Sequence, residues 1–422
     1  YNDEYDPIDF TFLKVRFREY NINADLRENQ FLDLGYLYRI RCHSLKINLP
    51  NWSLEYVADY EKLSERKVKM TMGFLEAFHK DRDLLLRRNI SDALILKEIN
   101  DRYQIIELRG RIADIAGVFI EDANYYSTPV EMLVYRKTKE LNIPVIYPNR
   151  RKIKQTRPKY RGAIVIEPVP GVHKQVVFFD FISLYNRVMQ EYNLSPELYR
   201  EFILNHTLND EEELQLQLMN FCKSQPKAII PQILEELEKE RNKYKILRDS
   251  FAKGSIEYEY YDAMQNAFKT FLLVFYGVTG DMKSSLYVKP IAETVTFGGR
   301  LQLQKALNYF NSKYAKVIYG DTDSAAINIA TANLSYEKLK AFATNIMTDI
   351  NKEFSGKIEI DIKNIYKCCL FVQTADASRG AKKRLIALRY DDKLDIVGME
   401  WVKGDTVDIA KGAQEMFGRM IL

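Results

Sequence analysis

Ala315-Lys-Val-Ile-Tyr-Gly-Asp-Thr-Asp-Ser-Ala-Ala-Ile-Asn-Ile329 holds two β-rich runs, Ala315 to Tyr319 and Ser324 to Ile329, around the acidic stretch Gly320-Asp-Thr-Asp323. Two such runs bounded by a short polar stretch predict a hairpin whose turn carries Asp321 and Asp323. Upstream, the apolar run Gln175-Val-Val-Phe-Phe179 ends in Asp180, which predicts a buried strand presenting a carboxylate at its C-terminal end. Carboxylates beside strands this apolar are costly unless cations neutralise them. Two carboxylates from different strands can bridge two Mg²⁺ ions, the arrangement used for in-line phosphoryl transfer. Taken singly, each aspartate also suits a plainer role, Asp-Thr-Asp as a turn and Asp180 as a helix cap.

Working outward, Ser183 to Tyr192 reads as helix, and residues 226–277 as a long helical segment broken at Ala252-Lys-Gly-Ser255, where Gly254 and Ser255 mark a turn between two antiparallel helices. Arg241 and Lys245 are four apart and share a face. On the facing helix Lys269 and Tyr276 are seven apart and also share a face. Two helices aiming cations into one cleft make a triphosphate clamp; a solvated helix face is the plainer alternative. Lys269 lies in the apolar run Phe268 to Val278, where a lone lysine is expected to need a partner. The first third alternates helical and strand patterns, with Tyr56 to Glu98 rich in Leu, Lys, Arg and Glu at helical spacing. Between residues 140 and 162, three prolines punctuate a run holding Arg150, Arg151, Lys152, Lys154, Arg157, Lys159 and Arg161, either a solvated linker or a strap that contacts phosphates.

The length of 422 residues suits two to four domains, and 46% hydrophobic with 28% charged residues excludes a mostly disordered or fibrous chain. A net charge of +4 excludes bulk polyanion binding of the histone kind and leaves room for local basic patches. The 28 Tyr and 22 Phe can fill a large core and can also stack on bases. Cys42, Cys222, Cys368 and Cys369 form no CxxC pair, so neither a zinc site nor a disulfide scaffold is expected, and a reducing, intracellular compartment is. No apolar stretch is long enough to span a bilayer and no signal peptide is legible. The chain opens on Tyr1, so its native start is expected upstream.

Asp180-Phe-Ile-Ser-Leu-Tyr185 resembles the DxxSLY motif of B-family DNA polymerases, and Tyr319-Gly-Asp-Thr-Asp-Ser324 matches that family's YGDTDS motif throughout. Gln265-x-Ala267-x-Lys269 with Tyr276-Gly277 resembles its QxAxK…YG finger motif, and Arg241-x-x-x-Lys245 its other finger helix. Lys382-Lys-Arg384 is similar to KKRY, Gly398-x-Glu400-x-Val402-Lys-Gly-Asp405 with Ala410-Lys411 to the stretch entering the thumb, and Tyr160-x-Gly162-Ala163 to YxGG/A. All occur in the family's order over residues 160–411, and the chain is similar in detail to archaeal members. The resemblance implies that Asp180 and Asp323 are the catalytic metal ligands, joined by the Phe181 carbonyl, with Asp321 auxiliary. It implies that Ser183 and Leu184 cradle the triphosphate through backbone amides and that Tyr185 excludes a 2′-hydroxyl. Arg241, Lys245, Lys269 and Tyr276 would bind the nucleotide; Tyr160, Gly162, Lys382, Lys383 and Arg384 would hold DNA.

Several positions depart from the pattern. Leu273 and Val274 replace an Asn-Ser pair, Asn186-Arg187 replaces Pro-Ser, Leu385 stands for the KKRY tyrosine and Gly404 for an arginine, as in a divergent, slow or lesion-tolerant member. Tyr1-Asn2 with Tyr5-Asp6 resembles the second 3′–5′ exonuclease motif, one residue short, and Asp92 the third-motif aspartate, with Arg88 where a tyrosine is expected. The DxE pair of the first motif is missing, and two-metal hydrolysis without it is expected to fail. The implied fold class is α/β, an α+β multidomain chain. Its parts would be a partial RNase H-like exonuclease domain over 1–125, a linker over 126–162, an antiparallel-sheet palm over 163–225 and 279–388, two-helix fingers over 226–278 and the start of a thumb over 389–422. The implied function is a template-directed DNA polymerase core that uses Mg²⁺, with Mn²⁺ able to substitute, adds dNTPs to primer-template DNA in replication, repair or translesion synthesis, and lacks proofreading. A sliding clamp or accessory subunits are possible partners, no membrane is involved, and the location is cytoplasmic and nucleoid-associated. The alternative is a catalytically weakened, DNA-binding scaffold subunit of a replication complex.

Overall fold

The computed structural model describes residues 32–44, 47, 49–124, 127–143, 161–205, 211–314, 316–329, 334–374, 379–399 and 408–422. In chain order the helices and strands are α1 (Leu34–Ser44), α2 (Leu54–Tyr60), α3 (Phe74–Lys80), α4 (Arg82–Tyr103), α5 (Ile105–Ala116), α6 (Ser127–Glu140), β1 (Val165–Ile166), β2 (Gly171–Phe181), α7 (Leu184–Glu191), α8 (Pro196–Asn205), α9 (Glu211–Ser224), α10 (Ile229–Asp249), α11 (Ile256–Gly280), α12 (Lys289–Lys313), β3 (Val317–Asp321), β4 (Ser324–Asn328), α13 (Tyr336–Glu353), β5 (Ile360–Gln373), β6 (Gly380–Arg389), β7 (Leu394–Val397) and α14 (Asp408–Ile421). The chain divides into two compact units, Tyr1–Leu133 with Glu240–Thr270, and Val134–Lys239 with Phe271–Leu422.

In the first unit, Leu37, Tyr38, Cys42, Val57, Leu63, Ile95 and Ile99 form a buried cluster. Glu61 accepts hydrogen bonds from the hydroxyls of Tyr38 and Tyr103, which satisfies a carboxylate at the edge of that core. The described residues from 32 to 143 contain helices and no strand, so the strand patterns expected there are absent from them. Nor is Tyr56 to Glu98 one helical stretch. Helix α2 stops at Tyr60, Lys62 turns left-handed with φ 52°, and the backbone of Ser64 and Glu65 hands its N–H groups to the Glu98 carboxylate on α4. Helical spacing survives on either side because local pattern cannot foresee this long-range capture.

The second unit is built on an antiparallel sheet in the order β1-β3-β4-β2-β5-β6-β7. β2 lies at its centre, and its run from Gln175 to Phe179 is buried throughout, as expected of a strand covered on both faces. One face carries Val176, Phe178, Tyr319, Tyr366 and Phe371 in a single apolar cluster. On the other, Phe179 stacks on Phe310 of α12 with ring centroids 5.1 Å apart. Helix α12 has fifteen buried residues, and its Gly298-Gly299 pair permits close approach: a Cβ at Gly298 would lie 2.7 Å from Val188 Cγ1. The helical break expected near Ala252–Ser255 falls between α10 and α11. Within α11, Phe268, Phe271, Leu272 and Phe275 are buried at helical spacing, while Lys269 is exposed. The buried residues of the apolar run therefore lie on one helical face, and Lys269 reaches solvent without the partner its neighbours suggested. The four cysteines are free and buried. Among the described residues no helix is long and apolar enough to cross a membrane.

Candidate active site

β2 delivers Asp180 to one end of the sheet, where it faces Ser324 of β4 and Asp361 of β5. Asp321 ends β3, so only Thr322 and Asp323 make the hairpin turn. The Phe181 amide donates to the Asp323 carbonyl at 2.8 Å, which ties this turn to the end of β2. Burial, and then the charge of Asp180, push the Asp323 carboxyl up to about 6, against a smaller opposing effect of Lys363. Two carboxylates that repel in a partly dry site are what a divalent cation relieves. Asp321 is occupied differently. It accepts from the Tyr319 hydroxyl at 3.3 Å and from Thr322 Oγ1 at 3.0 Å, and pairs with Lys383 Nζ at 3.3 Å. Two non-glycine residues in the left-handed region flank the carboxylates, Ser183 with φ 50° and Thr322 with φ 59°. Such backbone is unfavourable, most of all for β-branched Thr, and it concentrates at functional sites.

Beyond Ser183 the chain enters α7, whose N-terminus is not capped by a side chain, and a helix N-terminus favours anions. Ser183, Leu184, Tyr185, Leu273, Tyr276 and Asp323 line one cleft of about 70 Å³, too small for a whole nucleotide. The Tyr185 and Tyr276 rings meet with centroids 4.5 Å apart at 37°. Behind Tyr185 lies Gly299 of α12: a Cβ there would be 3.0 Å from Tyr185 Cε1. Leu273 is 57% exposed and faces the cleft, whereas Val274 is half-buried and not part of its lining.

The sequence matches DNA polymerase family B over residues 124–422. The chain belongs to DNA polymerase family B. It is 28% identical over 378 residues to a DNA polymerase of Thermococcus gorgonarius, covering 87% of this chain and 46% of that protein. It is 29% identical over 375 residues to DNA polymerase 1 of Pyrococcus abyssi (strain GE5 / Orsay), with 87% and 46% covered. To a DNA polymerase of Archaeoglobus fulgidus it is 30% identical over 263 residues, with 62% and 31% covered. The chain spans about half the length of the first two relatives.

The remaining candidate residues of this family B chain are more scattered. Arg241, Lys245 and Lys269 fall in the first unit, where burial and then the charges of Arg241, Arg248 and Lys269 hold the Lys245 ammonium below its ordinary value. That is a crowded cationic cluster. Gln265 Oε1 accepts from Arg241 Nη2 at 3.4 Å. Lys382 and Lys383 are both exposed because Lys383 is left-handed with φ 60°, which interrupts strand alternation; Arg384 is half-buried. Lys382 Nζ lies 3.9 Å from Glu167. The Gly162 carbonyl accepts from Arg300 at 3.0 Å. Leu385, where the motif has tyrosine, is buried in the sheet cluster. The Phe181 side chain packs edge-on against Phe354. Asp92 sits on α4 and pairs with Lys67 at 3.5 Å. Tyr160, Asp6, the basic run from Arg150 to Lys159 and residues 400–407 lie outside the described residues. Sequence reasoning missed Lys363, whose Nζ lies 3.1 Å from Asp180 Oδ2, and the Gly298-Gly299 pair. The second had a legible signal, two glycines in the middle of a helical pattern; the first had none.

Proposed function

We propose that this chain is the core of a template-directed DNA polymerase that joins a dNTP to a primer 3′-hydroxyl by two-metal nucleotidyl transfer. The observation that carries this reading is the meeting of Asp180 and Asp323, with the Asp323 carboxyl pushed up to about 6 by burial and by its neighbour. Among the described residues no three or more His, Cys, Asp and Glu side chains cluster to hold a metal. A pair of carboxylates nonetheless fits Mg²⁺, which takes oxygen ligands, keeps waters and is completed by substrate phosphates. Asp180 and Asp323 would hold the ions, with the Phe181 carbonyl as a further ligand. When bound, they neutralise charge on the attacking and leaving oxygens. The start of α7, at Ser183 and Leu184, would receive the triphosphate through backbone amides. The Tyr185 ring, buttressed by Tyr276 and Gly299, would fill the space of a 2′-hydroxyl. Arg241, Lys245 and Lys269 are suited to phosphate, and Lys382, Lys383 and Arg384 to the DNA backbone. The apolar Leu273 beside the cleft favours a lesion-tolerant or repair role over high-fidelity replication. The substrates would be primer-template DNA and dNTPs, with Mg²⁺ or Mn²⁺ as cofactor and a sliding clamp as a partner, in the cytoplasm at the nucleoid.

The test is metal-dependent primer extension. Asp180→Ala and Asp323→Ala should each abolish it with circular dichroism unchanged, and Asp321→Ala should do less. Extension surviving the loss of Asp180 or Asp323 refutes the assignment. One observation favours the scaffold reading: lysines already pair with Asp180 and Asp321. A chain that binds primer-template yet extends nothing in Mg²⁺ or Mn²⁺ would select it.

A further inference from the structure

β5 runs antiparallel to β2, and its ladder slips beside the carboxylates. Phe179 faces Ile362 and Phe178 faces Asn364, so Lys363 is an extra residue with no opposite number. A bulge of this kind bends the strand locally and re-aims a side chain. Beside this bulge the Lys363 ammonium lies 3.1 Å from Asp180 Oδ2, on a side chain 49% exposed that is anchored in a central strand. The same charge acts on Asp323, the second member of the pair. Asp321 is met likewise by Lys383, which is presented from a left-handed position on β6. The chain thus places a cation of its own at the first of the two carboxylates.

We propose that Lys363 is a resident counter-ion of Asp180 that a divalent cation must displace, so that the chain's metal affinity is set by this ammonium as well as by the carboxylates. The inference rests on the reading of Asp180 and Asp323 as metal ligands and adds a residue that works against them. In the metal-free state Lys363 holds the Asp180 carboxylate in place. On metal entry the side chain, half in solvent, swings away and leaves the oxygen to the ion. An ion pair of this exposure is worth a factor of about two to five, and repulsion between ammonium and dication adds to it. Removing the charge should therefore lower the dissociation constant for the metal about threefold to tenfold.

The measurement is Mn²⁺ binding to the full chain without DNA or nucleotide, read from the relaxation of water protons. Lys363→Gln should bind Mn²⁺ more tightly by that factor, Lys363→Arg should stay near the parent, and Asp180→Asn should bind it more weakly. Circular dichroism should be the same for all four proteins. Unchanged or weaker Mn²⁺ binding in Lys363→Gln, with binding still dependent on Asp180, overturns the counter-ion and leaves the metal reading intact. Mn²⁺ binding indifferent to Asp180→Asn overturns both.

Discussion

Replacing Asp323 by Asn should make the chain more stable, and by an amount that grows with pH. The carboxyl is raised from 3.8 to about 6, first by burial and second by Asp180. The folded chain thus holds this proton more tightly than the unfolded chain does. Stability from this group is complete at pH values below 3.8, falls as pH rises towards 6, and levels out above it. Roughly two pH units at 1.36 kcal/mol each set an upper end of about 3 kcal/mol. Solvent reaches part of the group and screens it, so the expected swing is about 1–2 kcal/mol. Other carboxylates move the opposite way; Lys227 and Lys357, for example, hold Glu235 below its ordinary value. The informative quantity is therefore the difference between Asp323→Asn and parent, from urea denaturation at several pH values in metal-free buffer, followed by far-ultraviolet circular dichroism. It should be near zero at about pH 4 and reach its full value by about pH 7, and saturating Mg²⁺ should narrow it. A difference that is flat with pH, or that favours the parent at neutral pH, would refute the strained pair.

Gly299→Ala should push the Tyr185 ring by a few tenths of an ångström, because its Cβ would meet Cε1 at 3.0 Å. Discrimination against ribonucleotides should then fall, less than in Tyr185→Ala; matched rNTP and dNTP insertion rates check this, and unchanged ratios in both variants would remove Tyr185 from sugar selection. Leu273→Asn with Val274→Ser should sharpen discrimination against wrong dNTPs about threefold to tenfold, the worth of a restored hydrogen bond; identical single-nucleotide error ratios would reduce the departure to packing. Asp92 is paired with Lys67, so Asp92→Ala should cost at most about 1 kcal/mol of stability and remove no nuclease activity. Metal-dependent degradation of a mismatched 3′ end that disappears in Asp92→Ala would contradict it.

The parts of the site legible in the sequence were those with local signatures. Apolar and β-rich runs announced β2, β3 and β4, and the acidic residues at their ends marked where carboxylates would emerge. Helical spacing announced α10 and α11 and the break between them. What could not be read depends on register. Lys363 lies far along the chain from Asp180 and meets it through the pairing of β5 with β2, where β5 carries one residue too many opposite Phe178 and Phe179. Nothing in the residues around Lys363 foretells that bulge. The helix that ends at Tyr60 is likewise followed by Ser64 and Glu65 turning their N–H groups to Glu98, a partner brought there by tertiary packing. Lys269 misled for the opposite reason: its neighbours are apolar, but the helix turns it to solvent.

The buried cysteines make the chain chemically quiet. Burial raises the thiols of Cys42 and Cys368, carries Cys222 up to about 12 and holds Cys369 well above its ordinary value. Alkylating reagents attack thiolates that they can reach, and these four are neither ionised nor accessible. A single cysteine introduced at exposed Leu273 would consequently take a maleimide dye in preference to the native four. Fluorescence at the rim of the cleft could then be followed in an otherwise natural sequence, with no need to strip the native thiols first.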